Sequence, residues 1–306
     1  MTYGNSGNDR QSKNERREAA REKAKVLRDQ QRKKEKRGKV FLQGGVIIAS
    51  LAILAVVALV LINSVKAPGS GPRNMLSDGI LIGEGFTATP TAALKPGADP
   101  VPNVRDESSD VIHIQMYVDY FCPVCGQFEK ANGDQLTTWL ETGAATVEIF
   151  PMAILDRSSQ GTKYATRAAN AAACVANYSP DKYYDFHNIL FANQPEENTP
   201  GLTDEQLVTL TTKAKVSSPK LVADCIADQK FKTWVADART RAQNGPIPNS
   251  NVDKVTGTPT VIVNGLKYTG ALDDAKAFSS FVIQAENTNS NEKSTSTPTP
   301  TPSPAS

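Results

Sequence analysis

Cys122 and Cys125 are the residues of this 306-residue chain whose type and spacing most directly indicate chemistry. Two thiols separated by two residues, here Pro123 and Val124, can close into a disulfide and reopen. Apolar residues at positions 112, 114, 116 and 118 alternate with those between them, a period of two that predicts a strand ahead of the pair. Apolar residues recur at helical spacing after the pair, so it lies at a strand-to-helix junction.

The position of Cys122 predicts an activated thiol. Pro123 falls at the first helical position, where its missing N–H costs nothing, so Cys122 becomes the N-cap residue of the helix. A thiolate there is stabilised by the helix dipole and by unpaired backbone N–H groups, and both lower the pKa of a cysteine. We therefore predict that Cys122 is the nucleophile and that Cys125, one turn inside the helix, is the resolving thiol.

An uncharged stretch at residues 40–62 predicts a membrane anchor. Its 23 residues would span roughly 34 Å as a helix, enough to cross a bilayer core. Of the 34 Lys and Arg residues, 14 precede residue 40, so the positive-inside rule places the N-terminus in the cytoplasm. We expect a single-pass protein of the cell membrane with its remaining residues extracytoplasmic. A cleaved signal peptide is the alternative, although its apolar region is normally about 7–15 residues.

The charge distribution gives no sign of a nucleic-acid partner. Residues 1–39 form a basic tail, but aromatic residues do not interleave with its basic run and the tail abuts the predicted span. We interpret it as a solvated helix near anionic lipids. Composition then predicts a linker at residues 63–76, one domain at residues 77–286, and a disordered tail rich in Ser, Thr and Pro at residues 287–306.

The order of elements in the domain predicts an α/β fold. Strands are expected at residues 79–83, 112–118, 147–150 and 260–263, and Asn264-Gly265 predicts a hairpin to a fifth strand. Two helical stretches, the second carrying Leu136 and Leu140, are expected between the second and third strands. Five helices, one opened by a capping box at Thr203 and Gln206, are expected in an insertion at about residues 152–250. A final amphipathic helix follows.

Cys122-Pro123-Val124-Cys125 after a strand, with Gly257-Thr258-Pro259-Thr260 leading a later strand, resembles the thioredoxin fold of the DsbA family. More closely, the chain is similar to the membrane-anchored DsbA-like proteins of Gram-positive bacteria. The resemblance covers residues 79–286 and includes the inserted helical subdomain. It implies that Pro259 is cis beside the disulfide, with Thr258 offering backbone hydrogen bonds to an extended substrate.

Two positions depart from the pattern of that family. Many of its members carry a buried acid six residues before the first cysteine, where this chain has Met116, so Asp119 or water is the candidate proton acceptor. The residue between Pro123 and Cys125 is valine rather than the histidine of the strongly oxidising enzyme that names the family. Disulfide exchange is expected all the same.

Cys174 and Cys225 lie in two of the predicted inserted helices. Free buried cysteines are one interpretation. In an exported domain with four cysteines, however, pairing Cys122 with Cys125 and Cys174 with Cys225 leaves no orphan thiol. The 51-residue separation of Cys174 and Cys225 argues against a four-cysteine metal site, so no metal is expected.

These patterns together predict an extracytoplasmic thiol-disulfide oxidoreductase that introduces disulfides into exported cysteine-containing proteins. It needs no dissociable cofactor. The resemblance implies a quinone-linked membrane reoxidase, of the DsbB or vitamin K epoxide reductase kind. Two alternatives stay open: a reductase or isomerase that uses the same cysteines in the reverse direction, and a membrane-tethered binding or chaperone module in which the cysteine pair is static.

Overall fold

A computed structural model describes residues 17–18, 20–34, 53–54, 69–105 and 109–295. The chain divides into two units, Met1–Lys66 and Ala67–Ser306. In the first unit, residues 20–34 are helical with exposed side chains. The predicted span at residues 40–62 lies outside the described residues except for residues 53–54. Among the residues described, no helix is both long and apolar enough to span a bilayer.

The second unit is built on a five-stranded mixed sheet in the order β1-β3-β2-β4-β5. Its strands are β1 (Ile80–Ile82), β2 (Ile112–Val118), β3 (Ala145–Pro151), β4 (Thr260–Val263) and β5 (Leu266–Lys267). β2 and β3 are parallel, while β1 on β3, β4 on β2 and β5 on β4 are antiparallel. This arrangement confirms the mixed sheet predicted from the alternating pattern.

A single helix, α1 (Pro123–Glu141), connects the parallel strands β2 and β3. The two helical stretches expected there are one helix, so that prediction was wrong. Asn132 does not interrupt α1 because its side-chain amide donates to the Phe128 carbonyl 3.0 Å away, one turn back. Leu136 and Leu140 continue the buried face of the same helix.

Five helices lie between β3 and β4, as predicted. They are α2 (Tyr164–Tyr178), α3 (Tyr183–Ala192), α4 (Asp204–Lys213), α5 (Pro219–Ala227) and α6 (Lys232–Asn244). Thr203 and Gln206 form the expected capping box at the start of α4, where each satisfies a backbone N–H of the other. The final helix is α7 (Ala275–Thr295).

Both faces of the sheet are buried. Ile114, Met116 and Val118 of β2 belong to the large core shared with the helices. Tyr117, which points to the opposite face, packs in a smaller cluster with Phe150 of β3. This double coverage fixes the position of β2, and therefore of the cysteines that follow it.

The structure sets the domain boundaries differently from the composition. The composition predicts a linker at residues 63–76, yet the Gly71 N–H donates to the Leu94 carbonyl (2.9 Å) and Met75 is fully buried. Burial of the apolar Met75 side chain explains why this segment packs on the domain. At the other end, α7 continues to Thr295, beyond the predicted start of the tail at residue 287.

Candidate active site

The turn between β2 and α1 holds Cys122 at the N-cap of the helix. Its backbone is extended (φ −80°, ψ 115°), and Pro123 occupies the first helical position. The Cys122 N–H donates to the Asp119 carbonyl at 2.9 Å, which closes the turn. Cys122 keeps 6% of its surface exposed, whereas Cys125 is fully buried. Only the first sulfur is therefore open to an incoming thiol.

The environment of Cys122 stabilises its thiolate. A hydrogen bond from the Cys125 thiol is the largest contribution, and the backbone N–H groups of Cys125 and Val124 add to it. Burial acts in the opposite direction, but the balance lowers the pKa of Cys122 to about 6. At neutral pH the free thiol of Cys122 is thus largely ionised, the form that attacks disulfides and leaves readily from them.

The second thiol is held protonated. Burial, followed by the hydrogen bond with Cys122, raises the pKa of Cys125 well above its usual value. Both cysteines are free, so the site is in its reduced form. One thiolate and one thiol three positions apart form a dithiol ready to donate two electrons.

The loop before β4 brings Thr258 and Pro259 to the cysteines. β4 pairs with β2 so that Thr260 lies opposite Tyr117, which sets the preceding loop beside the end of β2. The Thr258–Pro259 peptide bond is cis, and the Cys122 Sγ lies 3.3 Å from the Thr258 carbonyl oxygen, to which it donates when it is protonated. Proline at position 259 has no N–H, so this loop presents the carbonyl of Thr258 to the nucleophile.

Pro123 and Val124 form the exposed rim of the site. Both side chains are exposed at the start of α1, and Val124 keeps 40% of its surface accessible. The structure therefore brings together Cys122, Cys125 and Thr258, with Pro123 and Val124 beside them on the surface.

Asp119 is a buried anchor of the active-site turn. Its carboxylate accepts the N–H of Phe121 (2.9 Å) and those of Ile154 (2.7 Å) and Leu155 (2.9 Å), and none of its surface is exposed. Burial raises the pKa of Asp119 to about 6, although these three hydrogen bonds oppose the shift. The Asp119 N–H also bonds to the Cys125 sulfur. The residue thus ties the turn, the loop after β3 and the resolving sulfur together.

Gln194 also contacts the site, and the sequence patterns did not single it out. Its side-chain amide donates to the carbonyls of Tyr120 (3.2 Å) and Cys122 (2.9 Å). The Gln194 side chain crosses α1 at Gly126, where any Cβ would collide with it. Gly126 lies inside α1, one turn after Cys122. A glycine at that position is the sequence feature that could have indicated the close approach of another side chain to the helix.

The two histidines are engaged elsewhere. Deep between α1 and α3, His187 Nδ1 shares a hydrogen bond with Tyr120 Oη (3.2 Å), and Nε2 donates to Glu129 Oε1 (3.1 Å). His113 contacts Thr146 Oγ1 at 3.1 Å on β3. These contacts hold both rings within the fold.

Cys174 and Cys225 form a disulfide with an S–S distance of 2.05 Å. The bond joins α2 to α5, and both residues lie in the buried core of the inserted helices. It is chemically separate from the Cys122 and Cys125 pair, since those two thiols are free.

The chain is similar to known proteins over most of this domain. The family model described as Thioredoxin matches residues 106–283. Among curated proteins, the Na(+)/H(+) antiporter NhaA 3 of Salinispora tropica is 24% identical over 196 residues, 62% of this chain and 25% of that protein. The match thus spans about a quarter of that relative's length.

The chain is also similar to solved structures over this domain. The disulfide bond oxidoreductase DsbG of Mycobacterium tuberculosis, in its reduced form, is 26% identical with a TM-score of 0.50, covering 70% of this chain and 93% of that one. BdbD of Bacillus subtilis, 16% identical with a TM-score of 0.50, covers 72% and 100% respectively and shares the fold. Because the family match extends over more than half of the chain and includes Cys122, Cys125 and Pro259, the protein belongs to the thioredoxin family.

Proposed function

We propose that this protein is a thiol-disulfide oxidoreductase of the DsbA type that introduces disulfide bonds into exported proteins. The observation that carries the proposal is the unequal pair: Cys122 has a pKa lowered to about 6 and a partly exposed sulfur, while Cys125 is buried with a raised pKa. The similarity to the DsbG of Mycobacterium tuberculosis, described as a disulfide bond oxidoreductase, supports the same reaction class.

The reaction runs through two exchanges. A substrate thiolate attacks Cys122 Sγ of the oxidised pair, the Cys122–Cys125 bond breaks, and Cys125 leaves and takes up a proton. The second thiolate of the substrate then attacks the mixed disulfide and releases Cys122 as a thiolate. The substrate gains one disulfide, and its two electrons reduce the pair.

Stabilisation of the reduced site favours donation of the disulfide. A disulfide is a stronger oxidant when the thiolate that it releases is stabilised. Here the Cys125 thiol and the backbone N–H groups at the start of α1 supply that stabilisation for Cys122. The direction is therefore from this protein to its substrate.

Oxidation of a reduced, unfolded secreted protein with one native disulfide tests the activity. The oxidised chain should transfer its disulfide in a 1:1 reaction, and Cys122→Ser should abolish the transfer. Cys125→Ser should abolish it too, because Cys122 alone cannot form the disulfide that is donated. Equal turnover by wild type and Cys122→Ser would refute the enzyme and favour a static binding module.

We further propose that residues 40–62 anchor the protein in the cell membrane, with the catalytic domain outside the cytoplasm. The uncharged run and the basic tail before it support this topology. A quinone-linked reoxidase in the same membrane then returns Cys122 and Cys125 to the disulfide. Protease added to intact cells should degrade the domain and leave a membrane-bound N-terminal fragment. Release of the whole chain into the medium would contradict the anchor.

A further inference from the structure

A groove between α1 and α3 opens directly beside Cys122. It has a volume of about 790 Å³ and runs from Pro123 along α1 to Thr137, with the end of α3 and residues 194–197 as its other wall. At 1.5 Å per residue this stretch of α1 is roughly 21 Å long. About six extended residues would cover that length, so the groove matches a short peptide continuing from the nucleophile.

The α1 wall of the groove is open at Gly133, which has no side chain. Gly126 and Gly133 both line the groove, two helical turns apart. A Cβ placed on Gly133 would meet no atom within 4 Å. Glycine in a helix interior is unfavourable relative to alanine, and no packing contact explains its presence at position 133. The absence of a side chain keeps the groove accessible.

The groove is acidic. Its lining includes one ammonium group, that of Lys130, and four carboxylates, those of Glu129, Asp134, Glu196 and Glu197. The Glu197 carboxylate accepts the Ser158 hydroxyl at 2.7 Å, whereas Asp134 is exposed along α1. The excess of negative charge favours cationic groups in this groove and disfavours acidic ones.

Glu129 is the buried carboxylate of the groove, and half of its hydrogen-bonding capacity is unused. Its side chain is 7% exposed, and Oε1 pairs with His187 Nε2 at 3.1 Å. Oε2 has no hydrogen-bond partner among the described residues. A buried carboxylate oxygen without a donor is costly, so a donor supplied by a ligand would be strongly favoured.

We propose that this α1–α3 groove binds the stretch of a substrate polypeptide adjoining its reactive cysteine, and that it selects stretches carrying lysine or arginine. The proposal rests on the proposed thiol-disulfide exchange at Cys122. The bound ammonium or guanidinium group donates to Glu129 and Asp134 while the substrate sulfur is held at the start of α1. The negative charge of the groove favours a basic polypeptide over an acidic one as its occupant.

Paired model peptides test the selectivity with the full chain. Each peptide carries two reduced cysteines, and the residues following the first cysteine are lysines in one and glutamates in the other. The oxidised protein accepts two electrons from the peptide as the peptide disulfide forms. We expect about tenfold higher kcat/KM for the basic peptide at low salt, and a smaller ratio at high salt.

Three variants locate the effect in the groove. Glu129→Gln and Asp134→Asn should each lower the ratio of basic to acidic kcat/KM, and Gly133→Gln should lower kcat/KM for the basic peptide by filling the groove. Glu141→Gln, at the exposed far end of α1 and outside the groove, is the matched control and should leave the ratio unchanged. Equal rates for the two peptides, or a ratio unaffected by Glu129→Gln and Asp134→Asn, would overturn the proposal.

A binding measurement separates this proposal from the proposed function. The same peptides, with their cysteines alkylated, are titrated into the reduced protein, so that no exchange takes place. Tighter binding of the alkylated basic peptide supports the groove even if the oxidised protein fails to turn over either peptide. Equal binding of both peptides refutes the groove, even where exchange proceeds.

Discussion

The two active-site cysteines differ only in their surroundings. Cys122 lies at the helix N-cap with its sulfur partly exposed, and Cys125 is enclosed by the core one turn later. The first environment supplies hydrogen bonds to a thiolate, and the second removes water from the thiol. Opposite pKa shifts on neighbouring sulfurs are the property that makes one of them the attacking and leaving group.

The pH dependence of alkylation should report the lowered pKa of Cys122. With a pKa of about 6, its reaction with iodoacetamide should rise about tenfold from pH 5 to pH 7 and then level off. Cys125→Ala should shift the rise to higher pH, because it removes the largest stabilising contribution. A wild-type rise centred near pH 9 would contradict the proposed thiolate.

Stability should depend on pH differently in the two redox forms. In the reduced form the pKa of Cys122 is about 6 when folded and about 8.5 when unfolded. Between these values the native state binds fewer protons than the unfolded state, so the stability of the reduced form rises with pH. This stabilisation is lost as the pH falls through 6. Urea unfolding at pH 6 and pH 8 should show a larger gain in the reduced form than in the oxidised form. An equal change in both would contradict the assignment.

Asp119 should matter for stability more than its single side chain suggests. Asp119→Ala leaves the N–H groups of Phe121, Ile154 and Leu155 without their acceptor. At about 1–3 kcal/mol for each unsatisfied buried group, we expect a loss of at least about 3 kcal/mol in the free energy of unfolding. Asp273→Ala, in the exposed turn before α7, is a control that should cost little. A loss below about 1 kcal/mol in Asp119→Ala would show that the turn does not depend on this carboxylate.

At the scale of elements, α2 and α5 are joined by the Cys174–Cys225 disulfide inside the inserted helices. Closing a loop of 51 residues restricts the unfolded chain and stabilises the fold by about 4 kcal/mol in the chain-entropy model. The double variant Cys174→Ala and Cys225→Ala should unfold at a correspondingly lower urea concentration. Its Cys122 alkylation profile should match that of wild type, and a shifted profile would mean that the insertion positions the nucleophile.

Local sequence signals predicted the helices, strands and turns better than they predicted the contacts between distant residues. The N-cap at Cys122, the capping box of Thr203 and the hairpin at Asn264 each depend on residues within four positions, and the structure has all three. Asp119 and Gln194 act through partners 35 and 72 residues away, respectively. The residues next to Asp119 and Gln194 in the sequence do not indicate these hydrogen bonds, because the register and packing of distant elements create them.

The predicted boundaries of some elements were wrong for the same reason. Two helical stretches are expected between β2 and β3, yet packing of Leu136 and Leu140 carries the single helix α1 through Gly133, a residue of low helix propensity. The composition of residues 69–76 predicts a linker, but burial of Met75 fixes them on the domain. Burial outweighs the weak local preference in both cases.

At the scale of the whole molecule, charge is divided along the chain. Residues 1–39 hold 14 basic and 6 acidic side chains, so most of the 32 acidic residues lie beyond the predicted span. In the domain some of that negative charge gathers in the α1–α3 groove beside the nucleophile. Electrostatic attraction of basic polypeptides therefore begins before contact with Cys122 and should weaken as salt is added.

The redox midpoint of the Cys122 and Cys125 pair tests the central claim most directly. The full chain is equilibrated in graded glutathione buffers, and the fraction of the pair that reacts with an alkylating reagent is measured. A donor of disulfides should have a midpoint well above the potential of thioredoxin, about −270 mV. A midpoint at or below that value would contradict the account and make the protein a reductase.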